Sequence, residues 1–257
     1  MVKSTMNKND IFSFLIEKAE KYESPNFLID DPIKLPHYFS HKKDIEIIGF
    51  LIATIAWGNR KSIINSGKNI IKLLHNSPHD FIMNHTPSDL LKVKNFKHRT
   101  FNGEDLKYFI KTLKKIYSLN ESLEDYIYKQ NKNIAEMQSL FHNSFFSYSH
   151  KKRIEKHLAN PSKGSAAKRL NMFFRWMVRS NKNGVDFGIW KKIKSSQLSC
   201  PLDIHSGNVA RKLGILKRKQ NDQKAVVELD KVLKSIIPGD PVKLDFALFG
   251  LGVHENF

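Results

Sequence analysis

Two ionisable residues in the second half of the sequence, Lys168 and Asp203, are the first candidates for catalysis. Lys168 follows a turn of small residues, Pro-Ser-Lys-Gly-Ser-Ala-Ala, and begins a segment whose apolar residues have helical spacing. A lysine that is partly removed from water and close to other cations can present a neutral amine, which is a nucleophile. Asp203 precedes another helical segment, where its carboxylate can cap the helix or stabilise a developing positive charge.

Each of these residues also has an ordinary explanation. The chain contains 35 lysines, so the position of Lys168 alone is weak evidence, and an isolated aspartate before a helix is most commonly an N-cap. The helix N–H groups and dipole hold a capping aspartate as the anion, so a cap and a catalytic role are compatible. The small-residue turn before Lys168 and the presence of Asp203 after it together favour an active site.

The positive charge of the chain is concentrated in one segment. The net charge is +18, and residues 151–219 contain 18 lysines and arginines but only three acids, whereas the remaining residues contain 25 basic and 22 acidic residues. A lysine bias that came only from an AT-rich genome would spread the charge evenly. The concentration therefore indicates a polyanionic partner, and it favours nucleic acid over a membrane because no basic amphipathic anchor stands alone.

The composition limits the other possibilities. A chain of 257 residues with 40% apolar residues can bury a real core, and its single cysteine, Cys200, excludes an internal disulfide and a Cys-rich metal site. No second histidine lies at ligand spacing from His205, so we expect no metal and no cofactor. The N-terminal stretch differs from a secretory signal and the apolar runs are too short to span a bilayer. We expect a cytoplasmic monomer with no membrane partner.

Helical periodicity dominates the sequence and predicts an all-α fold of about ten helices, without convincing strands. We expect an N-terminal helix and lead over residues 1–43 and one helical domain over residues 44–257, which contains the basic segment 151–219. The main predicted helices are Asp10–Tyr22, Asp44–Asn59 (apolar nearly all round), a segment from Arg60 to near Pro78, Gly103–Ser118, Gly164–Ser180, a segment after Asp203, Asp222–Ile236 and Pro241–Gly252.

Four stretches, in their order along the chain, resemble the helix–hairpin–helix (HhH-GPD) DNA glycosylase superfamily. "LIATIAWGNRKSIINSGKNIIKLL" resembles the early helix pair of the endonuclease III group, and "AAKRLN" resembles the hairpin exit, with Lys168 at the position of the catalytic lysine. "PLDIHSGNVARKLGI" resembles the Val-Asp-Thr-His turn, and "DFALFGLG" resembles the helix that closes the six-helix domain. The closest likeness is to a branch of conserved bacterial proteins of unknown function.

The sequence departs from the superfamily pattern in three places. The hairpin is Pro-Ser-Lys-Gly-Ser-Ala instead of Leu-Pro-Gly-Val-Gly. Lys168 and Asp203 are 35 positions apart, farther than in compact members and closer to the archaeal oxidised-guanine type. No cysteine quartet follows Gly252, so the iron–sulfur cluster of the endonuclease III group is absent.

The resemblance implies two helical halves with a cleft between them, and a base-excision repair enzyme that removes a damaged base from double-stranded DNA. Lys168 would attack the sugar, Asp203 would assist it, and the resulting Schiff base would permit strand cleavage. The alternative is a helix–hairpin–helix module that binds nucleic acid without catalysis. A metal-dependent hydrolase would need clustered ligands that the sequence does not show.

Further residues are predicted to contact the DNA. A small-residue turn before a helix lets backbone N–H groups approach a phosphate, and nearby cations reinforce that contact. The predicted DNA-binding residues are Lys163, Gly164, Ser165, Arg169, Arg175, His205 and Arg211. The predicted pocket for the extruded base contains Trp57, Asn59, Arg60 and Trp190, although both tryptophans also suit the core.

Overall fold

The structure, a computed structural model, describes residues 7–255 and residue 257. The helices in these residues are α1 (Lys8–Tyr22), α2 (Lys42–Ile55), α3 (Arg60–Leu73), α4 (Pro78–Asn84), α5 (Pro87–Val93), α6 (Gly103–Leu119), α7 (Leu123–Ile127), α8 (Ile134–Phe145), α9 (Lys168–Val178), α10 (Ile204–Lys212), α11 (Gln223–Ile236) and α12 (Leu244–His254). Two very short strands, β1 (Lys97–His98) and β2 (Phe101–Asn102), pair in an antiparallel hairpin, and single 3-10 turns occur in the connections. The predicted all-α class is confirmed. Within this part of the chain, no helix is both long enough and apolar enough to cross a bilayer.

Local side-chain chemistry explains where the helices begin. α1 begins two residues before its predicted start because Asn7 and Asp10 form a capping box that satisfies the first free N–H groups. α9 begins at Lys168 rather than at Gly164, because the preceding 3-10 turn ends at Gly164 in the left-handed conformation, with φ +86°. The turn that the sequence predicted before Lys168 is therefore longer than expected.

Helix α2 lies at the centre of the first of two apolar clusters. Its residues from Ile45 to Ile55 are all buried, as the apolar character of the segment predicts. The ring of Phe50 lies within 5.6–5.7 Å of four other phenylalanine rings, measured between centroids. This first core consists mainly of apolar residues from α2 to α9 and is completed by Val242 and Phe246.

A second, separate core joins the two ends of the chain. It contains apolar residues of α1, α10, α11 and α12, together with Cys200 and Leu202. The N-terminal segment contributes to both cores, with Leu15 and Ala19 in the second core and Ile33 in the first. The described part of residues 1–43 thus packs into both cores and does not stand apart as a lead. Residues 1–6 lie outside the described part of the chain.

Candidate active site

A cavity of about 650 Å³ opens where the two cores come close together. Ala167 of the first core lines it, and so does Leu202 of the second core. Both predicted catalytic residues, Lys168 and Asp203, also line this cavity. The structure therefore brings these two side chains together at one cavity.

The backbone before Lys168 has an unusual conformation that directs this residue. Ala167 has φ +47° and ψ +34°, which is left-handed backbone that an alanine rarely adopts, at a cost of about 1–3 kcal/mol. The buried side chain of Asn171 fixes the turn, because its Nδ2 donates to the Ala166 carbonyl at 3.1 Å and its Oδ1 accepts from Gln138 at 2.7 Å. No side chain caps the N-terminus of α9, so the first N–H groups of this helix have no side-chain partner.

Asp203 uses its two carboxylate oxygens for different contacts. Oδ1 accepts the Ser206 N–H at 2.9 Å, and the Ser206 hydroxyl accepts the Asp203 N–H in return, so Asp203 is the N-cap of α10. Oδ2 lies 3.1 Å from Nζ of Lys168. The structure thus combines the two roles that the sequence allowed for Asp203.

The surroundings of Asp203 favour its ionised form. Burial acts to raise the pKa of Asp203, but the charge of Lys168 and the Ser206 N–H outweigh it, so the pKa lies below its ordinary value. The Lys168 side chain is 36% exposed and the Asp203 side chain 14% exposed, so the pair is open to a ligand on the lysine side. A neutral amine at this place can attack an electrophilic carbon, and the adjacent carboxylate can accept its proton and stabilise positive charge.

A second carboxylate lies behind this pair. Asp245 also lines the cavity and accepts from Nη1 of Arg175 at 2.8 Å. Its burial raises its pKa to about 6; Arg175 opposes this shift, and the charge of Asp203 adds to it. Asp245 therefore connects the candidate site to the buried charge network below it.

Four of the predicted DNA-binding residues remain accessible. Lys163 and Gly164 are exposed, Ser165 is half-buried, and His205 is exposed at the edge of the cavity. The loop that carries the first three is fixed to the start of α11, because the Gly164 carbonyl accepts the Gln223 N–H at 3.0 Å. The structure thus holds this loop beside the cavity in a defined position.

The prediction that Arg175 contacts DNA is wrong. Its side chain is 4% exposed and is paired with Asp186 at 3.3 Å and Asp245 at 2.8 Å. A guanidinium that is enclosed by carboxylates within the fold cannot neutralise a phosphate at the surface. The sequence shows the charge of Arg175 but not these partners.

Arg169 and Arg211 are half-buried and have internal contacts, and their contacts with phosphate stay a prediction. Arg169 donates to the Thr54 carbonyl, and its guanidinium carbon lies 4.8 Å from the centre of the Trp57 ring. It satisfies a carbonyl in the last turn of α2, where such groups lack helical partners. Arg211 donates to the carbonyl of Arg218 at 2.8 Å and thereby holds the loop after α10.

The predicted base pocket is partly present. Trp57 and Arg60 line the cavity. Trp190 does not, because it is 1% exposed in the first core, where its indole N–H donates to Glu46 at 2.7 Å. Asn59 accepts the Ser62 N–H at 3.2 Å as the N-cap of α3, so it too has a structural contact instead of the predicted one. The predictions for Trp190 and Asn59 are wrong.

The cavity residues that sequence reasoning missed include two aromatic rings and a carboxylate from outside the predicted site. Phe27 and Asp31 come from the N-terminal segment that was predicted to lie outside the domain, and Phe249 comes from α12. Phe249 lies in a stretch that resembles the superfamily, so that signal was available. Phe27 and Asp31 lie in irregular 3-10 turns, which give no periodic pattern.

Comparison with known proteins gives one match. Residues 31–254 match the family described as "Protein of unknown function (DUF2400)". The chain belongs to this family. No match was found among curated proteins or among solved structures. The match begins at Asp31, so this family includes the cavity residue that the predicted domain boundary left out. The resemblance to DNA glycosylases stays a prediction.

Proposed function

We propose that this protein binds damaged double-stranded DNA and removes a base by a glycosylase reaction in which a lysine attacks the sugar. The observation that carries the proposal is the 3.1 Å contact between Nζ of Lys168 and Oδ2 of Asp203 at the wall of a 650 Å³ cavity. Small-molecule sites commonly have volumes of about 300–1,000 Å³, so the cavity is large enough for an extruded base.

The reaction uses both residues. Asp203 accepts a proton from the Lys168 ammonium, and the neutral amine forms a bond to C1′ of the sugar. The bond from C1′ to the base breaks, its electron pair leaves with the base, and the base takes up the proton that Asp203 accepted. Asp203 is then an anion again and stabilises the positive charge of the adduct between the lysine and the sugar. Opening of the sugar ring then gives a protonated imine; loss of a proton from C2′ and departure of the 3′ phosphate cleave the strand.

The distribution of charge supports DNA as the substrate. Residues 151–219 carry most of the net positive charge, and Lys163 and His205 are exposed beside the cavity. Residues of two separate apolar cores line the cavity. This observation supports an HhH-GPD arrangement of two helical halves with a cleft between them. A monomer that acts in the cytoplasm remains our prediction.

The decisive experiment combines base release with imine trapping. A panel of duplexes, each with one damaged base, is scored for base release and strand nicking. An abasic-site duplex is then incubated with the protein and borohydride, which reduces an imine and fixes the protein covalently to DNA. We expect trapping on the abasic duplex and release of at least one damaged base. DNA binding without release or trapping would instead indicate a non-catalytic nucleic-acid-binding module.

A further inference from the structure

A second cavity, of about 610 Å³, lies at the other end of α9 from the candidate active site. Helix α9 begins at Lys168, which lines the first cavity, and ends at Val178, which lines the second. Its 11 residues span about 16 Å, and those from Phe173 to Val178 are buried. No described residue lines both cavities. The second cavity is therefore a separate place for a ligand, which the proposed reaction does not use.

The charged side chains that line the second cavity are all positive. Lys191 and Lys194 line it, and among the described residues no carboxylate does. Both lysines are exposed, and within the described part of the chain neither is in an ion pair. Their neighbour Lys192, in contrast, is paired with Asp125 at 2.6 Å and does not line the cavity. Ammonium groups without a compensating acid make this cavity attractive to an anion.

A buried carboxylate fixes the loop that carries these lysines. Oε2 of Glu124 accepts the Lys191 N–H at 3.0 Å, and Oε1 accepts the Lys192 N–H at 2.5 Å and the Ile193 N–H at 3.2 Å. Glu124 is 3% exposed. The Trp190 N–H, just before this turn, donates at 2.9 Å to a carbonyl in the last turn of α9. A loop that is already fixed loses little conformational freedom when a ligand binds.

Hydroxyl groups add further donors to this cavity. Ser195 and Ser196 line it next to Lys194, and in the described part of the chain their hydroxyls have no hydrogen-bond partner. Ammonium and hydroxyl groups donate well to the oxygens of a phosphate. Apolar residues, among them the half-buried Phe187, also line the cavity, and its volume lies within the usual range for small-molecule sites, about 300–1,000 Å³. A phosphate that carries an organic group therefore suits the cavity better than a bare phosphate.

We propose that this second cavity binds the phosphate group of a nucleotide. Lys191 and Lys194 neutralise its charge. The hydroxyls of Ser195 and Ser196 donate to its oxygens, and the base packs on the apolar side of the cavity, near Phe187. The inference is independent of the proposed function, because the two cavities share no residue. A free nucleotide and a nucleotide within a DNA strand offer the same phosphate chemistry, and the experiment separates these two sources.

The three tryptophans allow binding to be followed at each cavity separately. Trp190 lines the second cavity and Trp57 the first, whereas the buried Trp176 lines neither. Isotope-labelled protein is titrated at constant ionic strength with inorganic phosphate, a deoxynucleoside monophosphate or a short undamaged duplex, and the indole N–H signals are recorded by NMR. We expect the mononucleotide to shift the Trp190 signal saturably. Inorganic phosphate should require a higher concentration, because it has no base.

Two double variants test the donors. Lys191→Gln with Lys194→Gln is expected to weaken mononucleotide binding at the Trp190 signal by at least about tenfold, the usual effect of losing a hydrogen bond from a charged group. Ser195→Ala with Ser196→Ala keeps the charge and should weaken binding by about two- to tenfold, the usual effect of losing a neutral hydrogen bond.

The matched control is Lys217→Gln with Lys219→Gln, which removes two exposed charges from the same basic segment but outside the cavity and should keep the wild-type affinity. An unchanged Trp176 signal shows that each variant is folded. Saturation by the mononucleotide identifies a free nucleotide as the ligand, whereas a shift of Trp190 by the duplex alone, lost in the lysine variant, identifies a DNA strand.

Three outcomes would overturn the proposal. The first is a Trp190 signal that none of the three anions shifts. The second is an equal affinity for the lysine variant and its control. The third is a serine variant with wild-type affinity, because binding would then reflect only a general attraction between charges.

Discussion

Nζ of Lys168 lies 3.1 Å from Oδ2 of Asp203, while Oδ1 of the same carboxylate accepts the Ser206 N–H at the start of α10. The cap therefore fixes the orientation of the aspartate, and the aspartate in turn fixes the lysine. The interaction that caps the start of α10 therefore also sets the geometry of the candidate active site. The charge of Asp203 and its capping hydrogen bond can nevertheless be separated experimentally, because asparagine retains an oxygen that caps but has no charge.

Replacement of Lys168 by glutamine is expected to abolish borohydride trapping on an abasic-site duplex. Glutamine has no amine that can form an imine, and DNA affinity should change little because only one positive charge of many is lost. Lys219→Gln is the matched control, since it removes an exposed lysine from the same basic segment and should leave trapping intact. Robust trapping by Lys168→Gln would show that another residue is the nucleophile.

Replacement of Asp203 by asparagine is expected to lower the rate of base release by about 10²–10³, the usual effect of losing one group that stabilises transition-state charge. The free energy of unfolding should change by less than about 1 kcal/mol because the cap is retained. Asp222→Asn is the control: Asp222 caps α11 and pairs with Arg218, but it does not line the cavity. Unchanged base release by Asp203→Asn would reduce Asp203 to a helix cap.

The periodic features of this chain could be predicted from the sequence. Apolar spacing predicted α2 as a buried helix, and an aspartate followed by a helical segment predicted the cap at Asp203. Both depend on residues that are close together in the sequence. The proximity of Lys168 and Asp203 was predicted from the order of the segments that resemble the HhH-GPD superfamily. Apolar periodicity alone does not show which distant turns lie close together in the fold.

The failed predictions concern partners that are distant in the sequence. Arg175 was predicted to contact DNA, but its carboxylate partner Asp245 is 70 positions away. Trp190 was predicted to line the base pocket, but Glu46, which accepts its N–H, is 144 positions away. Charge and aromatic character are visible in the sequence, whereas burial by a distant partner is not. Asp31 was missed for a related reason, since the 3-10 turn that places it in the cavity has no periodic pattern.

Arg175→Ala is expected to destabilise the protein by about 3–5 kcal/mol, because it leaves the buried carboxylate of Asp245 without its cation and leaves Asp186 with Arg179 alone. Urea unfolding measures this change. The exposed Lys219 provides the control, and Lys219→Ala should stay within about 0.5 kcal/mol of wild type. An Arg175→Ala protein with wild-type stability and weakened DNA binding would contradict its assignment to the buried network.

The exposed Lys163 is expected to contact a phosphate. Lys163→Ala should weaken binding to all duplex sequences alike and reduce the log–log dependence of affinity on salt by about 0.9, the value for one phosphate. Binding titrations at several salt concentrations measure this slope. Lys132→Ala, which removes an exposed lysine outside the basic segment, should leave the slope unchanged. Equal slopes for Lys163→Ala and wild type would show that the loop before α9 is not part of the DNA interface.

Asp230 permits a test of the second core that is independent of DNA. It is 8% exposed, does not line the cavity, and accepts the Cys200 N–H at 2.9 Å. Burial raises its pKa from 3.8 to about 6, although the Cys200 N–H opposes the shift. Folding therefore favours the protonated carboxyl, and the associated stability is present below pH 3.8 and is lost as the pH rises through about 6.

Asp230→Asn should remove this pH dependence, because asparagine keeps an acceptor for the Cys200 N–H and never ionises. A tenfold change in acidity corresponds to about 1.4 kcal/mol, so we expect the variant to be more stable than wild type by about 3 kcal/mol at pH 7. Near pH 4 the two proteins should differ little. Urea unfolding at both pH values measures the difference. Asp222→Asn is the contrasting control, because its ion pair with Arg218 lowers the pKa of Asp222, so this variant should be less stable than wild type at both pH 4 and pH 7. A constant gain for Asp230→Asn across this range would mean that the buried carboxyl does not titrate there.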